Sequence, residues 1–315
     1  MERIVFLDRS TLIADVRQPR FEHEWTDYQV SAPAEVVERL REATIAITNK
    51  VQLREGQLSQ LPDLKFIAVA ATGTDIIDLD YCYERNLPVS NIRNHTRHTL
   101  PEHVFMLILS LRRNLLQYRA DIERGEWQRA KGFCLLTHEI RDLYASTLGI
   151  IGYGALGQSV ERLAQAFGMR VLIAEHKNAR VIRDGRTGFE EVLSESDIIT
   201  LHCPLNDETR ALIGKRELEM MRRNALLINT ARGGLVDEAA LALALRSKII
   251  AGAGFDVLTK EPPCEGNPLL EVNLPNFILT PHIAWASREV MQALADQLIE
   301  NIEAFQNGSP RNLVT

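Results

Sequence analysis

Short apolar runs recur along the chain, separated by stretches with helical spacing. Residues 4–7, 44–48, 65–70 and 87–90 read as strands, and 34–42 as a helix. Segment 99–124 places Val104, Leu107, Ile108, Leu111, Leu115 and Tyr118 on one face and predicts one long helix, ended by Gly125. Pro101 suits its first turn, where a missing N–H costs little, and Glu102 complements the positive end of the dipole. Further strands are expected at 147–151 and 170–174, then before Pro204, before Gly233, at 252–257 and at 277–282; a closing helix covers 287–306. Strands alternating with helices place the chain in the α/β class with parallel sheets. Its 315 residues suggest two domains, with the 99–124 helix crossing from the first to the second.

The strand at 147–151 runs straight into Gly152-Tyr153-Gly154-Ala155-Leu156-Gly157, and a helical pattern follows over 158–167. This is the strand–turn–helix of a dinucleotide-binding unit. Gly152 permits the tight turn, Gly154 lets a pyrophosphate approach the backbone, and Gly157 allows close packing of helix on sheet. The helix start then offers N–H groups to phosphates. Glu175 lies 18 residues past Gly157, at the end of the next strand. A carboxylate there accepts from a ribose diol and repels a 2′-phosphate, so NAD is expected over NADP; His176 and Lys177 beside it soften that preference.

Composition narrows the classes. The formal net charge of −6 argues against nucleic acid as the main partner, and no apolar run reaches the length of a membrane span. The first residues lack a signal-peptide layout. Four dispersed cysteines, with no C-x-x-C, point to reduced thiols in the cytoplasm and to no metal site. Between 126 and 146, Trp127, Phe133, Leu135, Leu136, Ile140 and Tyr144 sit among charges, and a second subunit is a candidate to cover them.

Three polar residues lie just past successive strands: Arg232, Glu261 and His282. Each alone is ordinary. Together, at the carboxyl ends of one sheet, they supply a guanidinium fork, a carboxylate and an imidazole beside the glycine turn. That set suits reduction of a 2-oxo acid: Arg232 holds the substrate, His282 donates a proton to the carbonyl oxygen, and Glu261 orients His282. An ordinary histidine titrates near about 6.5, so reduction is expected to favour lower pH. Earlier in the chain, Ala71-Thr72-Gly73-Thr74-Asp75 ends a strand and can present backbone N–H groups to an anion, and Lys50 ends the preceding strand in the same way.

The chain resembles the D-isomer-specific 2-hydroxyacid dehydrogenases. The residues that carry this are 71–75, Gly152 to Gly157, His202-Cys203-Pro204-Leu205, Asn229-Thr230-Ala231-Arg232-Gly233-Gly234, Phe255-Asp256-Val257 with Glu261-Pro262, and Thr280-Pro281-His282, in the family's order over nearly the whole length. The resemblance implies two Rossmann-like parallel-sheet domains. One is a discontinuous, flavodoxin-like substrate domain (1–98 and 287–315). The other is a doubly wound NAD-binding domain (99–286) on which a homodimer is built. It further implies that Arg232, Glu261 and His282 are catalytic, with Thr72 and Gly73 on the substrate carboxylate. Asp256 is implied to hold the nicotinamide carboxamide. Cofactor contacts are implied along Tyr153, Ala155, Leu156, His202, Cys203, Pro204, Thr209, Thr230, Ala231 and Thr99. Ala71 to Asp75 and His282-Ile283-Ala284-Trp285-Ala286 look most like the bacterial glycerate dehydrogenases, which also reduce hydroxypyruvate and glyoxylate, with Trp285 walling a small pocket. A phosphorylated or bulkier 2-oxo acid, or an NAD-sensing corepressor-like role, are the alternatives. Leu100-Pro101 departs from the family's Val-Ala, and Glu261 stands where formate dehydrogenases carry an amide.

Overall fold

All pairings between strands are parallel, the arrangement that short runs covered on both faces demand. The computed structural model describes residues 1–93 and 96–315. It divides into two units, Met1–His95 with Ala286–Thr315, and Thr96–Trp285.

The first unit holds β1 (Glu2–Phe6), β2 (His23–Asp27), β3 (Ile45–Thr48), β4 (Phe66–Val69) and β5 (Val89–Ser90), in the order β2-β1-β3-β4-β5. This is the flavodoxin-like winding. Helices α1 (Val36–Leu40), α2 (Glu55–Leu58) and α3 (Leu79–Glu84) connect its strands. Every residue of β3 and β4 is buried. Strand β2 has no counterpart in the apolar pattern: it is an edge strand, and His23, Glu24, Thr26 and Asp27 give it no apolar run. The closing helix, Arg288–Gln306, belongs to this unit. The Ser287 side chain accepts the Val290 N–H at 3.1 Å, Phe305 stacks on Phe66 at 4.3 Å between centroids, and Arg17 pairs with Glu303 through both nitrogens of its fork at 2.6 and 2.8 Å.

The second unit opens with α4 (Thr99–Arg112), α5 (Leu115–Glu123) and α6 (Glu126–Arg129). The single helix expected over 99–124 is therefore two. Asn114 sits at φ 51°, a left-handed conformation that asparagine tolerates, and its side-chain amide donates to the Glu139 carbonyl at 2.5 Å. There follow β6 (Thr147–Ile151), α7 (Ala155–Ala166), β7 (Arg170–Ile173), α8 (Phe189–Glu195), β8 (Ile198–Leu201), α9 (Lys215–Met220), β9 (Leu226–Asn229), α10 (Glu238–Arg246), β10 (Gly252–Phe255) and β11 (Phe277–Leu279). Their order is β11-β10-β9-β8-β6-β7, so the winding reverses between β6 and β8. Beyond β7 a further strand is reduced to one parallel bridge, Ala174 with Thr187. Leu107 and Ile108 of α4 are fully buried in the core over this sheet; each such side chain stabilises the fold by about 1.5–3 kcal/mol. The 126–146 segment leaves Trp127, Phe133, Leu136 and Tyr144 exposed on the single chain. Among the described residues, no helix is long and apolar enough to cross a membrane.

Candidate active site

Because the sheet of the second unit is parallel, the residues that follow β6, β8, β9, β10 and β11 gather along one edge. The reversal between β6 and β8 opens the crevice where open α/β sheets hold ligands. At its floor Gly152 adopts φ 93°, and a Cβ added there would lie 2.4 Å from the Cys203 nitrogen and 2.5 Å from the His202 carbonyl carbon. The turn is thus pressed against the 202–203 backbone. At Gly154 an added Cβ would meet nothing within 4 Å, so open space lies over this glycine just where α7 begins. The first N–H groups of a helix have no acceptor inside it, and here they border that space. Thr230 adds a buried hydroxyl with no hydrogen-bond partner among the described residues. An open glycine, a helix start and an orphaned hydroxyl along one edge fit a dinucleotide, pyrophosphate at α7 and a polar headgroup near Thr230.

The other residues expected to line the cofactor are engaged as follows. Tyr153 lies under the Arg186 guanidinium at 4.8 Å and donates its hydroxyl hydrogen to Glu161. His202 meets the Thr200 hydroxyl at 2.9 Å, and burial pushes its imidazole down to about 4. Burial also pushes the Cys203 thiol up to about 11, which leaves it unreactive near neutrality. Pro204 presents its carbonyl to the Thr209 hydroxyl at 2.7 Å, closing the 204–209 loop. Ala155 and Leu156 are part-buried in the first turn of α7, Ala231 is part-buried after β9, and Thr99 is the first residue of α4. Glu175 is buried, with both oxygens bonded to Arg183 and to backbone N–H groups.

The polar trio is assembled from the strand ends. His282 Nδ1 lies 2.5 Å from Glu261 Oε2, while Glu261 Oε1 accepts the Leu258 N–H at 2.8 Å. A carboxylate only accepts, so Nδ1 is the donor and Nε2 is the nitrogen turned to other work. About two-thirds of each side chain is covered. Asn229, buried at the end of β9, holds the Arg232 turn from both sides. Its Oδ1 accepts from Ala231 N–H at 3.1 Å and its Nδ2 donates to the Arg232 carbonyl at 2.8 Å. Arg232 Nη1 donates to the Ala231 carbonyl at 2.8 Å. A Cβ on Gly233 would lie 1.9 Å from the Leu258 carbonyl carbon, so the Arg232 turn rests directly on the loop that carries Glu261. The structure therefore brings all three residues to one place.

Asp256, implied to hold the nicotinamide carboxamide, also braces the chain itself. It is buried, and its carboxylate accepts from Ile283 N–H (2.9 Å), Ala284 N–H (2.7 Å) and the Thr280 hydroxyl (2.5 Å). His103 on α4 stands 3.0 Å from that hydroxyl. Trp285 donates its indole N–H to the His282 carbonyl at 3.0 Å. His103 and Arg183 lie outside the quoted motifs, and the bracing roles of Asn229 and Thr280 inside theirs emerge only from the fold.

In the first unit, Thr72 is exposed and Gly73 part-buried in the turn after β4, where Asn91 Nδ2 donates to the Thr72 carbonyl at 2.8 Å. Lys50 is exposed beyond β3. The N–H groups of Asn49, Lys50 and Val51 all point to the buried Asp8 carboxylate, at 2.6–3.3 Å. The anion held by this backbone is the protein's own. Among the described residues no cluster of potential metal ligands occurs, and the four cysteines are unpaired.

Comparison with known proteins agrees with this geometry. Residues 105–284 match the family model "D-isomer specific 2-hydroxyacid dehydrogenase, NAD binding domain". The chain is 51% identical over 314 residues to a glycerate dehydrogenase of Methylorubrum extorquens, covering 99% of each. A D-lactate dehydrogenase from Aquifex aeolicus, solved with NAD and lactic acid, superposes with a TM-score of 0.81 at 28% identity, over 99% of this chain and 98% of that one. An NADPH-dependent glyoxylate/hydroxypyruvate reductase from Sinorhizobium meliloti does so with a TM-score of 0.83 at 26% identity, over 100% and 98%. Motifs, fold, strand-end trio and these likenesses agree: the chain belongs to the D-isomer-specific 2-hydroxyacid dehydrogenases.

Proposed function

We propose that the protein reduces a small 2-oxo acid, hydroxypyruvate or glyoxylate, to the D-2-hydroxy acid and catalyses the reverse oxidation, with NADH as coenzyme. The observation that carries this reading is the 2.5 Å contact of His282 with Glu261, next to the Arg232 turn and on the same sheet edge as the open Gly154. A bound reduced nicotinamide supplies the hydride. Arg232 orients the substrate through its carboxylate and carbonyl oxygens. His282 delivers its Nε2 proton to the carbonyl oxygen, and Glu261 holds Nδ1–H so that the ring keeps its orientation and bears the positive charge. In the oxidative direction neutral Nε2 takes the hydroxyl proton. Thr72 and Gly73 are proposed as backbone ligands of the substrate carboxylate, with Lys50 adding positive charge and Trp285 limiting side-chain size. The 51% identity to a glycerate dehydrogenase favours hydroxypyruvate within this substrate class.

We further propose a homodimer formed through the 126–146 arm, supported by its exposed Trp127, Phe133, Leu136 and Tyr144. Reduced thiols and the need for an NADH pool favour the cytoplasm. The deciding experiment follows NADH consumption with hydroxypyruvate, glyoxylate, pyruvate and 3-phosphohydroxypyruvate. Fast turnover of hydroxypyruvate is expected. Turnover of the phosphorylated acid alone would reassign the substrate, and silence with all four despite NADH binding would point to a sensor.

A further inference from the structure

The loop joining Ala174 to its bridge partner Thr187 carries Lys177, Arg180, Arg183 and Arg186 against two acids, Glu175 and Asp184. Two of these arginines bear on the residues that meet a dinucleotide. Arg186 covers the ring of Tyr153, inside the glycine turn, so the loop folds back over the phosphate end of the site. Arg183 closes on Glu175. Its Nη2 donates to Oε1 at 2.5 Å, its Nε to Oε2 at 2.7 Å and its backbone N–H to Oε2 at 3.2 Å, while the His176 N–H donates to Oε1 at 2.8 Å. A carboxylate offers about four acceptor positions, and these four bonds fill them. Arg183's side-chain hydrogen bonds, with those of the backbone, hold Glu175 down at about 2, so it stays ionised and engaged throughout the physiological range. The Glu175 side chain is 2% exposed and that of Arg183 57%, so the charge this corner shows to a ligand is the guanidinium.

We propose that Arg183 is a coenzyme-specificity residue, whose guanidinium masks Glu175 and receives a ribose 2′-phosphate, so that the site takes NADPH as well as NADH. The inference rests on the dehydrogenase reading above. A bare carboxylate at the end of β7 repels a 2′-phosphate. Here that repulsion is cancelled at its source. Arg183 Nη1 takes no part in the bonds to Glu175, and a guanidinium carries five donors. The same arginine can therefore bridge the acid and a phosphate without leaving its place. A ribose diol, in contrast, must displace Arg183 to reach the acid, which removes much of the advantage expected for NADH.

Calorimetric titration of the full-length protein tests this without turnover, using NADH, NADPH and the half-ligands 5′-ADP and 2′,5′-ADP. The unmodified protein is expected to bind NADPH within about tenfold of NADH, and 2′,5′-ADP at least as tightly as 5′-ADP, with the 2′-phosphorylated ligands losing more affinity as salt is raised. Arg183→Gln should lower the NADPH-to-NADH affinity ratio by about ten- to a hundredfold, the value of one charge-assisted contact, and Arg183→Lys should recover part of it. An unchanged ratio in both variants, with NADH binding and turnover intact, overturns the role of Arg183 and leaves the dehydrogenase reading standing. So does NADPH binding about a thousandfold weaker than NADH in the unmodified protein, a comparison that needs no variant to fold. Binding of neither dinucleotide overturns both readings.

Discussion

Asp256 braces the His282 turn from behind. Its carboxylate gathers the N–H groups of Ile283 and Ala284, and its carbonyl accepts the His282 N–H at 2.8 Å. His282 itself sits at φ 57°, a left-handed conformation costing of order 1–3 kcal/mol for a residue with a side chain, and these bonds hold it there. Asp256→Asn exchanges one acceptor for a donor and strands a buried N–H. We expect about 1–3 kcal/mol of lost stability in denaturant titrations, together with a fall in kcat that exceeds any change in KM. His282→Gln should lower kcat by about 10²–10⁴-fold while dinucleotide binding persists; a variant turning over at the original rate would sink its role as proton donor. His202 gives a pH signature in stability. Its folded value, about 4, lies below the ordinary histidine value near about 6.5, so the unfolded chain takes up the proton first. The contribution of neutral His202 is whole above about 6.5 and declines as pH falls toward about 4, by at most about 3 kcal/mol. Thermal melts of His202→Asn should lose that part of the acid slope. At this scale the sequence disclosed what stands at a strand end. The trio and the glycines occupy positions that alternation of apolar runs marks out. Arg183 stands eight residues beyond Glu175 in a polar loop, and only the path of that loop makes them partners.

The elements were legible where pattern and tertiary demand coincide. Strand β6 and helix α7 are required by the same glycine spacing that builds the crevice, and the closing helix announces itself by period and by Ser287. Strand β2 escaped because an edge strand with one bare side needs no apolar run. The break at Asn114 escaped because apolar periodicity carries through it from Leu111 to Leu115; the decision is made by a backbone angle and by the amide contact to Glu139. Two turns join elements so closely that one added methyl should separate them. Gly152→Ala meets both a positive φ and the Cys203 backbone, and Gly233→Ala meets the Leu258 carbonyl. We expect each to cost several kcal/mol or to prevent folding. Surviving Gly152→Ala protein should lose dinucleotide affinity, whereas surviving Gly233→Ala protein should bind dinucleotide but lose turnover, because it displaces Arg232 from the Glu261 loop. Fluorescence titration beside steady-state rates separates the two.

For the whole molecule, the exposed arm makes assembly testable. Phe133→Asp places a charge on the most exposed large apolar side chain of the segment, and sedimentation velocity should then show the proposed dimer shifting toward monomer. An unmodified protein that sediments as a monomer would remove the arm as an interface. The reaction consumes one proton in the direction of reduction, so its apparent equilibrium constant should fall about tenfold per pH unit, as read from end-point NADH at several pH values. Finally, both ends of the chain lie in the first unit, the N-terminus in β1 and the C-terminal residues against β5 through Val314 and Leu313. The second unit is an insertion that the chain enters after His95 and leaves at Ala286. A mechanical load applied to the two termini is therefore borne first by the first unit, and the dinucleotide crevice carries no tension until that unit yields.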